Sequence, residues 1–252
     1  MRIFSRACAA VGGTLLAAAM VSSAMISSVH AGDFADIDVI GFSKDGRRFA
    51  FEQYGIQDGS GFPYSEVFVI DVQKDSWIKP SPFRFVEQDA PDGSDLDVVL
   101  ADTRHVAIQA ANDSGLLDGI RFPGLTVGHN PVTEVSADPH LMIVNPRRVV
   151  PTIDDPMEFS IEEFPLPAGN CASYGAHTKG FRLTMLYQGM ARILNDDNDL
   201  PASRGCPLSY RIDRIITRYP DTGPPVFVAL ILMQTHGFEG PDGRYLAITG
   251  RF

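Results

Sequence analysis

In a chain of 252 residues, 31 Asp and Glu stand against 21 Lys and Arg, a formal net charge of −10. Such a surface repels phosphate backbones and anionic headgroups, which argues against nucleic-acid binding and peripheral membrane attachment and leaves solubility, a basic partner or a cation as its use. The length suffices for one sizeable core even after loss of a leader.

The leader comes first. Arg2 and Arg6 form a basic start, Val11 to Ile26 is rich in Ala, Leu, Val and Met, and Val29-His30-Ala31 fits a small-x-small cleavage site before Gly32. Residues 1–31 are therefore expected to be a cleaved signal peptide and 32–252 the mature domain, periplasmic or secreted. A membrane anchor needs about 20 apolar residues in one run, and Gly12 and Gly13 interrupt this one. No stable membrane insertion is expected after cleavage, and Cys8 leaves with the leader.

The next elements are strands. Ile37 to Phe42 is a short apolar run, Ser43 to Gly46 is a turn, and Arg47 to Tyr54 carries Phe49 and Phe51 at period two, which together predict a hairpin. Asp58-Gly59-Ser60-Gly61 breaks the chain, Val67 to Ile70 reads as a strand buried on both faces, and Trp77 begins a fourth strand. This unit, residues 37–80, resembles one blade of a TolB-type β-propeller in its F-S-x-D-G turn, and the resemblance implies four antiparallel strands packed on neighbouring sheets. Gly237 to Ile248 repeats the phrase of Gly41 to Phe51 with one inserted residue. Either a related unit stands at each end of the chain, or Asp-Gly-Arg is simply a good hairpin turn; the first reading places the termini near each other.

Glu87 to Asp97 reads as an acidic surface linker ending in a helix start at Ser94 to Asp97. Leu96, Val99, Leu100, Thr103, Val106, Ala107 and Ala110 recur at helical spacing, which predicts one amphipathic helix over about 95–112 packed on a sheet. From 125 to 252, short apolar runs separated by Pro, Gly, Asn and Asp predict a β-meander, with strands near 139–149, 157–164, 181–187, 191–194, 210–219, 226–233 and 245–252. The fold class expected is mainly β: an antiparallel meander with propeller-like or sandwich-like sheets and one amphipathic helix. Cys171 and Cys206, the pair that survives processing, are expected to form a disulfide in an oxidising compartment, worth roughly 3 to 4 kcal/mol.

The chain lacks the H-E-x-x-H, G-x-S-x-G and G-x-x-x-x-G-K motifs, and no spacing of His105, His129, His140, His177 and His236 suits a metal, so neither cofactor nor metal is expected. Asn195 to Asp199 has alternate oxygen ligands, but Leu200 stands where a calcium loop turns on Gly and Cys206 where Glu closes the shell, which makes it a solvated loop. Ser136 to His140 is read as a turn, because five adjacent residues cannot form a catalytic triad. The candidate binding residues are Tyr54, Asp58, Ser60, Phe62 and Tyr64, in a glycine-rich loop too long for a minimal hairpin; the alternative is a packed loop with buried aromatics.

Five phrases, GFSKDGRRFAFEQYGIQDGSGFPY (41–64), NPVTEVSADPH (130–140), EEFPLPA (162–168), PASRGCPLSYRI (201–212) and GFEGPDGRYLAITGRF (237–252), together resemble a bacterial family of predicted secreted proteins of unknown function. The resemblance spans the mature chain and implies export and a single module, with no catalytic residue to carry over. The function expected is a non-catalytic envelope module that binds a protein partner or a small ligand. The alternative is a hydrolase or metal-dependent enzyme assembled from dispersed residues such as Asp138, His140, His236 and Glu239.

Overall fold

In the computed structural model, residues 32–169 and 171–252 are described, so the signal peptide expected over residues 1–31 lies outside the described residues. β1 (Asp36–Phe42), β2 (Arg48–Ile56) and β3 (Pro63–Asp71) form an antiparallel sheet in chain order. β4 (Ser76–Trp77) and β5 (Phe83–Val86) both pair with β3. The first turn is built as its sequence dictates. Ser43 Oγ donates to Asp45 at 2.6 Å and accepts from the Arg48 amide, while Gly46 takes a positive φ of 70° that a side chain resists.

Alternation along β2 and β3 gives this first sheet two different faces. Phe49, Phe51, Phe68 and Ile70 point one way, Ala50, Val67 and Val69 the other. Against the small side packs α1 (Leu96–Asp113), through Thr103, Ala107 and Ala111. Its N-cap is Asp95, whose carboxylate accepts from the Asp97 amide, one residue beyond the cap expected at Ser94. The buried stripe is also turned from the expected one: Leu96 and Val106 are exposed, and Arg104 lies partly inside. A guanidinium is invisible to an apolar count, and this one is drawn inward by carboxylates on the sheet.

Two further sheets follow. β6 (Leu125–His129), β11 (Pro207–Arg218), β12 (Val226–His236) and β13 (Pro241–Arg251) form the central one, in the order β13-β12-β11-β6. β7 (Leu141–Val144), β8 (Met157–Pro165), β9 (Lys179–Tyr187) and β10 (Met190–Asp196) form the outer one, in the order β10-β9-β8-β7. The central strand β12 explains its own sequence. Phe227, Ala229, Ile231 and Met233 meet Phe159, Phe181, Leu183 and Met185 of the outer sheet, whereas Val226, Val228 and Leu230 meet Phe49, Phe51 and Phe68 of the first. A strand covered on both faces reads as a continuous apolar run. Burying each of these large side chains contributes about 1.5–3 kcal/mol before conformational entropy is counted.

The described residues are thus mainly β, with antiparallel sheets and one α-helix. The sheets stack as layers: outer sheet, central sheet, first sheet, helix. They form neither a closed barrel nor a propeller, so the blade-like phrase at 37–80 marks a hairpin and its flanking strands. Its echo at 237–248 is likewise the β12–β13 connection. Asp45-Gly46 turns the chain before β2, whereas Asp242-Gly243 lies within β13, paired with Thr235 and Gln234, so the shared phrase does not mark a shared turn. The start of the described chain does lie on β13: Phe34 bridges Gly243, and the Asp33 amide donates to Asp242 at 2.9 Å. Cys171 and Cys206 are joined in a disulfide.

Candidate functional site

The Tyr54 to Tyr64 segment contains less loop than its glycines suggest. β2 runs to Ile56 and β3 starts at Pro63, so only residues 57–62 turn, and they bond to one another. The Gln57 amide donates to Phe62 O at 2.9 Å, the Gly61 amide to Gln57 O at 3.0 Å, and Ser60 Oγ to Gln57 Oε1 at 2.9 Å. Asp58 accepts from the Glu239 amide at 3.0 Å, which fastens this turn to the β12–β13 connection. The two tyrosines lie on opposite faces of the first sheet. Tyr54 faces the helix side, with the Arg104 guanidinium 3.4 Å above its ring. Tyr64 is buried on the side of the central sheet and donates from its hydroxyl to Asp33 at 3.0 Å; burial pushes its pKa far up. The five nominated residues therefore do not converge on one point.

A cleft of about 660 Å³ opens on the Tyr64 side instead, lined by residues of the first sheet, of one end of the central sheet and of the 202–206 segment. One wall is a row across the first sheet. Gln53 of β2 pairs in register with Glu66 of β3, and Glu66 with Arg84 of β5, so the three share a face. Gln53 Nε2 donates to Glu66 at 2.6 Å, Arg84 Nε lies 2.5 Å from its other oxygen, and Gln53 Oε1 accepts from the Tyr245 amide at 2.7 Å. Beside this row stands Trp77, 44% exposed, with Phe68 against it at a 5.6 Å ring separation. The facing wall is Met233, Thr235 and His236 of β12 and Arg244 of β13.

The 202–206 segment closes the cleft, held through the Cys206 disulfide and through Arg204, which donates to Asp197 at 2.6 Å and lies over the Phe181 and Tyr210 rings. Asp197 in turn accepts from the Phe181 amide. Asp197 is accordingly an anchor for this segment, while Asp196, Asn198 and Asp199 of the same run are exposed, as a solvated loop would have them. At the other end, Arg244 donates to both the backbone oxygen and the carboxylate of Asp33. Burial nevertheless raises the Asp33 pKa above its usual value, the neighbouring Arg244 and Tyr64 opposing that rise.

The dispersed residues of the enzymatic alternative have other neighbours. The Asp138 carboxylate accepts from the His140 amide in a turn, His140 Nε2 lies 3.6 Å from Glu163, and only His236 lines the cleft. Among the described residues, no group of three or more His, Cys, Asp or Glu is placed to hold a metal. Apart from His236, the polar residues of the cleft escaped the sequence reading, although a signal existed. Gln53 and Glu66 interrupt the apolar period of Phe49, Phe51, Phe68 and Ile70, and polar residues on a core-facing period mark a place where the core opens.

A family model described as predicted secreted protein (DUF2259) matches residues 50–251. No curated protein and no solved structure matches the chain. Among the described residues, no helix is long and apolar enough to cross a membrane.

Proposed function

This chain belongs to the DUF2259 family of predicted secreted proteins, and on that premise we propose that it is a periplasmic, single-domain binding module. Residues 1–31 serve as the export signal, and the mature domain, 32–252, binds a small ligand without transforming it in the cleft beneath Trp77. One observation carries the reading: a cleft of about 660 Å³ with an exposed aromatic side chain at its edge and a row of mutually bonded polar side chains on its wall. Ligand sites combine this volume and this mixture of apolar surface with a few oriented polar groups.

The chain contains a single tryptophan, and it stands in the cleft. Trp77 emission therefore reports occupancy directly. Titrating the processed protein with fractionated small molecules from envelope extract is expected to give a saturable emission change together with a raised melting temperature. Trp77→Phe removes the optical signal. Fractions that change neither emission nor melting temperature sink the reading.

A protein partner is the second reading, favoured by Phe238. This side chain is 81% exposed and lies against Gly59 of the nominated turn. Cross-linking in the envelope, compared between the native chain and Phe238→Ser, tests it: a partner lost in the variant supports the contact, and an unchanged cross-linking pattern removes it.

A further inference from the structure

We infer that the cleft beneath Trp77 accepts an anionic ligand built on a flat ring, an aromatic or heteroaromatic carboxylate or phosphate; this deepens, and rests on, the reading of the cleft as the binding site. Charge is the first argument. Three arginines, Arg84, Arg204 and Arg244, are among the residues that line the cleft, against one acidic residue, Glu66, in a chain whose formal charge is −10. A local excess of cations on an acidic protein focuses anions into that place.

Placement is the second argument. The carboxylates that hold two of these arginines are Asp197, for Arg204, and Asp33, for Arg244; both are buried, and neither lines the cleft. Their side chains are 6% and 3% exposed, and the arginines they hold are 11% and 23% exposed. A guanidinium has five N–H donors in a fixed fork, more than one carboxylate uses, and an acid behind it sets its direction without occupying the cleft. Glu66, the one acid in the wall, is tied on one oxygen by Gln53 and on the other by Arg84. Arg84 is the most exposed member: its side chain is 47% exposed, so a ligand anion can reach it while Gln53 keeps Glu66 bonded.

Trp77 argues for the ring. It is 44% exposed at the edge of the cleft, backed by Phe68. An aromatic surface beside oriented guanidiniums favours a flat π-system carrying a negative group over an inorganic anion, which would leave most of the 660 Å³ unfilled.

The test uses processed protein from the periplasm, followed by Trp77 emission and calorimetry. The probes are benzoate and phenyl phosphate, each beside a neutral counterpart, benzamide and benzyl alcohol, with N-acetylglucosamine as a neutral saccharide. At least one charged ring compound is expected to bind about tenfold or more tightly than its neutral counterpart, as a charge-assisted hydrogen bond requires, and to lose affinity as salt rises. The tighter of benzoate and phenyl phosphate decides between carboxylate and phosphate. Arg84→Gln, on the surface and compatible with folding, is expected to weaken that probe by about tenfold without altering the melting temperature of the free protein. Neutral probes that bind as tightly as charged ones overturn the anionic class while leaving the cleft as a ligand site. If no probe binds, the class is overturned, and the extract titration separately decides whether the cleft binds anything.

Discussion

Arg104 of α1 and Glu52 of β2 form a two-point ion pair, with Nε and Nη2 of the arginine 3.0 and 2.8 Å from the two carboxylate oxygens. Glu52 is 2% exposed, and Ser65 Oγ donates to it as well. The helix otherwise buries only small side chains, Thr103, Ala107 and Ala111, so this pair sets where the helix sits. Arg104→Met is expected to cost about 3 kcal/mol, because it leaves a buried carboxylate with one hydroxyl donor. Adding Glu52→Gln is expected to recover much of that loss. Urea unfolding of the single and double variants measures both, and a single variant within about 0.5 kcal/mol of the native chain would show that the pair adds nothing.

The Cys171–Cys206 bond joins residues 35 apart in sequence. Replacing both by Ser is expected to lower unfolding free energy by about 3–4 kcal/mol in the chain-entropy account. The same change loosens the 202–206 segment, so ligand-induced change in Trp77 emission is expected to weaken along with stability. Denaturation with and without reductant checks the first, and titration of the variant under native conditions the second.

Asp33 gives the pH dependence a sign opposite to the usual carboxylate. Its pKa in the folded chain is raised by burial, so between its unfolded value and that raised value the folded state binds more protons. Its contribution to stability is full below the unfolded pKa and is lost as pH rises through the folded one. Relative to Asp33→Asn, the native chain is therefore expected to gain stability as pH is lowered through this window. Parallel unfolding curves over a pH series measure the difference, and a difference that shrinks on acidification contradicts the assignment.

Gly41 sits at the irregularity between β1 and β2 with a φ of 128°, and a Cβ there would stand 2.7 Å from the Phe122 oxygen. The Phe42 amide donates to that same oxygen at 2.7 Å, which joins β1 to the segment before β6. Gly41→Ala is expected to cost about 1–3 kcal/mol from strain, with more from displaced backbone. Gly189→Ala is the control: its φ is also positive, 73°, but open space surrounds it, and its cost is limited to about 1–2 kcal/mol. Comparing the two melting temperatures separates steric from conformational strain.

Much of the architecture was legible in the chain itself. The strand from Val226 and the hairpin at Tyr187–Met190 stand where their periods and turns predict, since alternation and positive-φ residues such as Gly189 act within a few residues of themselves. The helix was equally visible, but its facing was not: Leu96 and Val106 have apolar side chains and end in solvent, whereas Arg104 turns inward. An ion pair between residues 52 apart leaves no local pattern. The nominated residues are divided between two faces for a related reason. Period two places Tyr54 and Tyr64 on opposite faces once the two strands pair with Gly55 opposite Tyr64, and that register is a property of the pair of strands.

By itself the sequence determined the class of the protein: mainly β, with one helix and a disulfide pair, because hydrophobic period, turn chemistry and cysteine count are local or compositional quantities. Only the tertiary structure decided the layers and the cleft. Gln53, Glu66 and Arg84 form one row through strand register, and Arg244, from the far end of the chain, lines the same cleft as Trp77. Contacts between residues so distant in sequence are selected by which faces bury the most apolar surface together, and that choice is made by the whole fold.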